Sequence, residues 1–233
     1  MRPRLLDLFC GAGGAAAGYH RAGFDVVGVD LVPQPHYPFE FHRADALEVL
    51  RSLALDDGPP RMWGPFDAIH ASPVCKDHSK LRHATKRDHG TAWLLGATRD
   101  LLAAQPLPWV IENVAGAALR PDLRLCGCMF GLADTTGRRL YRERWFETSW
   151  HGFGFRPPCH HAGRAITVAG HGAQGGWEYV NGVAPSHADR CTAMGIDWMN
   201  RDELAQAIPP AFTEHVGRCL LGRVRAVGEG VPI

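Results

Sequence analysis

A short apolar strand that runs straight into a glycine turn and then a helix narrows the possible folds of this chain more than any other feature. Leu5–Phe9 has the composition of the strand, "CGAGG" (Cys10–Gly14) that of the turn, and Ala15–Ala22 that of the helix, with Gly23 suited to its end. Glycines at such a place let the backbone come close to a ligand at the helix N-terminus. Comparable strands follow at Phe24–Asp30, Pro65–Ala71 and Leu107–Asn113, each apolar and each ending in polar residues, with a helical stretch at Thr91–Ala104. Strands that are apolar throughout and alternate with helices predict an α/β fold: a doubly wound, mostly parallel sheet with helices on both faces. Sheets of this kind hold ligands at the carboxyl ends of their strands. Cys10–Gly14, Asp30, Cys75 and Glu112 all fall at such ends.

The 233 residues suffice for one sizeable α/β domain with a small appendage. Residues 1–152 read as a catalytic and cofactor-binding domain. Over 153–200 Gly, Pro and His crowd in and helical periodicity fades, which predicts a small, loop-rich recognition region. Residues 201–233 turn helical again and are expected to return to the first domain. An apolar share of 45% and a charged share of 21% are those of a globular protein. Glycines interrupt the N-terminal stretch where a signal peptide needs apolar residues, and no apolar run is long enough to cross a membrane. A cytoplasmic protein is the expectation, with no membrane and no obligate protein partner. Seven cysteines, an odd number, favour reduced thiols over a disulfide framework. A net charge of +1 leaves nucleic acid open, so local charge has to decide.

At the cofactor end, Asp30 closes the second strand about 20 residues after the glycine turn, where an acid accepts hydrogen bonds from a ribose. The spacing Gly11-x-Gly13-x-x-Ala16 also fits a dinucleotide fingerprint, so NAD is an alternative that the glycines alone do not decide. Asp45 follows a third strand and suits either a helix N-cap or contact with an adenine amino group. At the other end, Glu112 closes a buried strand, where a carboxylate needs a partner or a raised pKa. Arg142 and Arg144 lie on one side of an extended segment, as functional groups or as salt-bridge partners of Glu112.

Cys75 leads into a loop with Lys76, Lys80, Arg82, Lys86 and Arg87, a setting that lowers a thiol pKa and offers contacts to phosphates. A second basic cluster comprises Arg138, Arg139, Arg142, Arg144, Arg156 and Arg164, and the two together suggest a polyanionic substrate. Cys126, Cys128, Cys159 and the His160–His161 pair are metal-ligand types, but Cys-x-Cys is tighter than the usual Cys-x2-Cys knuckle, which favours unligated thiols and no metal.

Taken in order, these segments resemble the DNA cytosine-5 methyltransferase family, in particular its short, phage-like members. "DLFCGAGG" is similar to the family's first motif, "SPVCK" to its catalytic Pro-Cys loop, "IENV" to its Glu-Asn-Val motif and "RERWF" to its Arg-x-Arg motif; "AQAIPPAFTEHVG" looks like its last motif. The resemblance implies a Rossmann-like fold that uses S-adenosylmethionine to methylate C5 of a cytosine flipped out of double-stranded DNA. It implies Cys75 as covalent nucleophile, Glu112 as acid at N3, and Arg142 with Arg144 at O2. Phe9, Gly11, Ala12, Gly13 and Gly14 would line the cofactor, Asp30 its ribose, Asp45 with Ala46 its adenine, and Gln206 its methionine part. Asn113 would brace the Cys75 loop, and Lys76, Lys80, Arg82, Lys86 and Arg87 would hold DNA.

The chain departs from the family around the nucleophile, where Val74 and Lys76 stand in place of the usual Pro and Gln. Lys76 raises the alternative of a carboxylated S-adenosylmethionine as donor, and a catalytically inactive DNA-binding scaffold is the other reading. Gln174, Trp177, Tyr179 and Asn181 are candidates for contacts to bases.

Overall fold

The computed structural model describes residues 1–53, 63–74, 92–153, 158–168 and 182–230. In chain order the elements are β1 (Arg4–Leu8), α1 (Gly14–Ala22), β2 (Asp25–Asp30), β3 (Glu40–Arg43), α2 (Ala46–Leu53), β4 (Ala68–Ala71), α3 (Ala92–Ala103), β5 (Trp109–Val114), β6 (Leu123–Cys126), a 3₁₀ turn (Gly127–Phe130), β7 (Arg139–Leu140), β8 (Glu143–Thr148), β9 (Ala165–Ile166), α4 (His187–Met194), α5 (Arg201–Gln206) and α6 (Pro210–Gly228). Seven strands form one sheet in the order β3-β2-β1-β4-β5-β8-β6. The first five run parallel, and β8 enters antiparallel between β5 and β6. The doubly wound, mostly parallel sheet expected from the sequence is therefore present.

Its strands are apolar on both faces because both faces are covered. Leu5, Val26, Ala68 and Val110 point into a core shared with Tyr19 of α1 and with Phe212, Val216 and Leu220 of α6. Leu6, Leu8, Val27, Val29, Ile69 and Ile111 point the other way, against Val49 and Leu50 of α2 and Leu95 and Leu102 of α3. The chain builds β1, β2 and β3 toward one edge, then crosses back to place β4 on the other side of β1. The carboxyl ends of β1 and β4 thus flank the reversal point, where an open α/β sheet has its crevice.

On the first face α1 and α6 approach at backbone distance. A Cβ built on Gly18 would collide with Thr213 Oγ1 and the Pro210 carbonyl, and one on Gly217 would lie 2.7 Å from the Ala22 Cβ. Through that gap the Thr213 hydroxyl donates to the Ala15 carbonyl at 2.9 Å. The C-terminal helices expected from Arg201 onward are α5 and α6. They are separated by Ala207–Pro209, with Pro210 opening α6 where a missing N–H costs nothing.

A third core joins Leu140, Ile166, Val168, Ala193, Met194, Ile196, Met199 and Leu204 to Ala12 in the turn after β1. It contains α4, a helix inside the stretch expected to lack helical character. That helix has only 8 residues and is set by its ends: Ser186 and Asp189 form a capping box, and Gly195 ends it at φ 67°. No helix among the described residues is long and apolar enough to cross a membrane.

The α1–α6 contact predicts opposite outcomes for two glycines. Gly18→Ala should destabilise by about 1–3 kcal/mol through overpacking, whereas Gly222→Ala, exposed on α6 with open space around it, should stabilise by about 0.5–1 kcal/mol. Denaturant midpoints of the two variants measure both.

Candidate functional site

The crevice begins where β1 ends. Phe9 adopts φ 56°, an uncommon conformation for an aromatic residue, and turns the chain into Gly11 at φ 50° and Gly13 at φ 84°. The Gly11 N–H donates to Asp30 Oδ2 at 3.0 Å while the Val32 N–H donates to Asp30 Oδ1 at 3.0 Å. The acid and the glycine turn are thereby one rigid unit. The glycines divide the work unequally. A Cβ on Gly11 would meet nothing within 4 Å, but on Gly13 it would lie 2.7 Å from Pro38 Cδ, and on Gly14 it would lie 2.6 Å from the Ile208 carbonyl oxygen. Gly13 and Gly14, expected against the cofactor, are therefore demanded first by the protein's own packing, and Gly11 alone of the three faces open space. Ala12 is buried in the third core, and its carbonyl accepts from Trp198 Nε1 at 2.9 Å.

Asp45 caps α2, accepting from the Leu47 and Glu48 N–H groups at 2.8 and 3.2 Å, and Ala46 behind it is buried. Gln206 is exposed at the end of α5, and its neighbour Ala207 packs against Gly14. Sequence inspection missed Leu31 and Val32, which stand 62% and 59% exposed beside Asp30. Two exposed apolar side chains directly after the strand-end acid Asp30 suit a flat heteroaromatic ring. An acid, an open glycine edge, a helix-capping carboxylate and an exposed apolar pair together fit an adenosyl group.

At the end of β4, Ser72 donates its N–H to the Leu8 carbonyl at 3.1 Å, and Asn113 Nδ2 donates to the Pro73 carbonyl at 3.0 Å. Asn113 thus braces the chain as it leaves the sheet, in agreement with the expectation for it. Cys75, Lys76, Lys80, Arg82, Lys86 and Arg87, and the base-contact candidates Gln174, Trp177, Tyr179 and Asn181, lie outside the described residues.

Glu112 sits on β5 opposite Phe146 of β8, so Arg144 lies diagonal to it on the same face. Arg144 Nε approaches Glu112 Oε1 at 2.8 Å, with the side chains only 11% and 6% exposed. Burial raises the Glu112 pKa above its ordinary value, against the opposing pull of Arg144, Arg142 and a Ser72 hydrogen bond. Arg142 differs from Arg144: its two terminal nitrogens donate to the Val168 carbonyl at 2.7 Å and the Ala205 carbonyl at 2.6 Å. These two bonds tie the residue just before β8 to both the third core and α5, while its charge still acts on Glu112.

A buried hydrogen-bond chain, unmarked in the sequence, supports this end. Tyr19 Oη meets His70 Nδ1 at 2.9 Å, and His70 Nε2 meets Ser72 Oγ at 2.7 Å. His70 is fully buried, which pushes its pKa down to about 3 and keeps the imidazole neutral.

The second basic cluster does not persist as a surface. Arg138 is 2% exposed, paired with Asp134 and lying 3.2 Å from Asp189. Among the described members only Arg139 and Arg164 are exposed. The four candidate metal ligands do the reverse. Expected to carry no metal, Cys126, Cys128, Cys159 and His161 nonetheless bring their ligand atoms within 4.8 Å of one another.

Comparisons with known proteins agree with this geometry. Over 97% of this chain and 99% of the other, the fold superposes with a TM-score of 0.59 and 15% identity on a putative DNA modification methyltransferase encoded within an Escherichia coli prophage. It superposes on the Schizosaccharomyces pombe Dnmt2 methyltransferase with a TM-score of 0.55 and 11% identity, covering 96% and 99% of the two chains. The fold is that of the Rossmann-like methyltransferases. No family model matches the chain. In sequence it is 32% identical over 126 residues to the type II methyltransferase M.HgiGI of Herpetosiphon aurantiacus, covering 50% of this chain and 94% of that protein. It is 30% identical over 126 residues to M.HgiDI of the same organism, of which the match spans 38%. The chain belongs to the type II methyltransferase family.

The neutral buried imidazole carries a pH signature. Its folded pKa is depressed, so its contribution to stability is complete above the ordinary value of 6.5 and is lost as pH falls from 6.5 toward about 3. Relative to a His70→Gln variant, the native protein should lose about 1.4 kcal/mol per pH unit across that window. Chemical denaturation at a series of pH values tests this.

Proposed function

We propose that the protein is a DNA cytosine-5 methyltransferase acting on a cytosine flipped out of double-stranded DNA, with Cys75 as covalent nucleophile. The observation that carries this reading is the buried Glu112–Arg144 pair, set beside the strand end that Asn113 braces and that leads directly to Cys75. A carboxyl whose proton affinity is raised by burial and held by an arginine suits proton donation to a ring nitrogen.

S-adenosylmethionine, when bound, supplies an electrophilic methyl group. Asp30 would hold its ribose, Leu31, Val32 and Phe9 would line its adenine, and the open edge at Gly11 would leave room for it. Cytosine C5 is too weak a nucleophile to take the methyl group unaided. The Cys75 thiolate therefore forms a bond to C6, and the C5=C6 electron pair becomes available at C5. Glu112 donates a proton to N3 as this charge develops, and the Arg144 guanidinium faces O2. Arg142 acts by position, holding β8 through its two carbonyl contacts. Once C5 carries the methyl group and the donor is left as its neutral thioether, the C5 proton departs to solvent, the C6–S bond breaks to release the Cys75 thiolate, and N3 returns its proton to Glu112. A base inside a duplex is out of reach, and its extrusion costs a few kcal/mol. Lys76, Lys80, Arg82, Lys86 and Arg87 offset that cost through phosphate contacts.

Incubation with unmodified duplex DNA and S-adenosylmethionine, followed by digestion and mass spectrometry of the nucleosides, tests the reading. 5-Methyl-2′-deoxycytidine should form and vanish with Cys75→Ala, and Glu112→Gln should lower kcat by about 10²–10⁴-fold. Methylation at an exocyclic nitrogen, or activity that survives Cys75→Ala, overturns the covalent mechanism.

A further inference from the structure

We propose that Cys126, Cys128, Cys159 and His161 form a structural zinc site that fastens the segment around residue 160 to the edge of the catalytic sheet. Cys126 Sγ lies 3.2 Å from His161 Nε2, which lies 3.4 Å from Cys159 Sγ, which lies 3.4 Å from Cys128 Sγ. All four ligand atoms fall within 4.8 Å of one another. A tetrahedral ion with bonds of about 2.3 Å to sulfur and 2.0–2.1 Å to nitrogen needs ligand atoms roughly 3.4–3.8 Å apart, so small adjustments seat it. Three sulfurs and an imidazole nitrogen make a soft donor set that selects zinc over magnesium or calcium.

The tight Cys-x-Cys spacing is accommodated by the 3₁₀ turn. Cys126 ends β6 in extended conformation at φ −131°, ψ 146°, and the chain then coils through Gly127, returning the Cys128 side chain to the same side. A Cβ on Gly127 would strike the Leu140 carbonyl, so only glycine fits there. His161 is oriented in advance: its ring stacks on Tyr141 at 4.4 Å between centroids, and Tyr141 Oη donates to the Ala162 carbonyl at 2.7 Å. Imidazole ligands commonly have such outer support. On binding, the three thiols release their protons to solvent and form bonds to the ion as thiolates, while His161 donates its Nε2 lone pair with its proton on Nδ1.

The location gives the ion a task. Cys126 pairs with Glu143 on β8 and Leu125 pairs with Arg144, so the site anchors the strand that presents Arg144 to Glu112. Closed four-ligand coordination leaves no position for substrate, which makes the ion a fastener and not a catalyst.

The test uses the full chain with its thiols reduced. Purified protein should carry one zinc per chain by mass spectrometry. After chelation it should lose thermal stability and regain it with zinc alone, and cobalt(II) added to the apo form should give the strong visible bands and sulfur-to-metal charge transfer of a tetrahedral thiolate site. Cys128→Ser should weaken zinc binding at least tenfold and diminish the charge-transfer band, whereas Cys219→Ser should leave both unchanged. If Cys128→Ser does not fold, the charge-transfer intensity of the native protein still counts its thiolates. Substoichiometric zinc at saturating free metal, an octahedral cobalt spectrum, or a Cys128–Cys159 disulfide formed in preference to metal binding overturns the proposal.

Discussion

Covering a parallel sheet on both faces leaves the row of carboxyl strand ends as the place where polar chemistry can sit without disrupting a core, and the other features of this molecule are arranged around that constraint. The reversal between β1 and β4 opens the crevice there. The register Leu8↔Ala71 sets the glycine turn beside Ser72 and Pro73. Asp30 ends β2 one strand away and reaches back to the Gly11 N–H, so the cofactor side is positioned by the same hydrogen-bond ladder that builds the sheet. The α1–α6 contact holds this arrangement from outside, because its glycines allow the two backbones to approach until Thr213 bonds to the Ala15 carbonyl.

The Glu112–Arg144 pair is costly in the sense common to buried charges: removing either partner strands the other away from water. Its placement depends on the antiparallel entry of β8, which brings Arg144 diagonal to Glu112 on one face. A parallel strand at that position would require a long crossover connection. Arg142 and Arg138 are equally committed, one to carbonyls of Val168 and Ala205, the other to Asp134 and Asp189. An arginine-rich stretch that looks like a surface for polyanions is thus largely internal bracing. Together with the Trp198 bond to Ala12, it fixes the third core to the sheet.

The α/β fold with its mostly parallel sheet was legible early, because apolar strands, a glycine turn and acids at strand ends are local patterns with few topological solutions. Asn113 and Asp45 behave as their types suggested, the first bracing Pro73 and the second capping α2. Helix α4 was hidden because its short length gives too few turns for periodicity to emerge, and its signal resides in a capping box and a terminal glycine.

The sequence by itself determined the strand–turn–helix order and the acids at the strand ends, since these depend on neighbours within a few residues. Tertiary structure decided the rest. It assigned Gly13 and Gly14 to packing and left Gly11 open, made Arg144 the partner of Glu112 and Arg142 a tie, and linked Tyr19, His70 and Ser72 into one buried chain. It also gathered four metal-ligand side chains from two segments more than 30 residues apart, as the separation of 31 positions between Cys128 and Cys159 shows. The reason is the same in each case: these relations join residues distant in the chain, and only the folded path fixes how far apart their side chains lie.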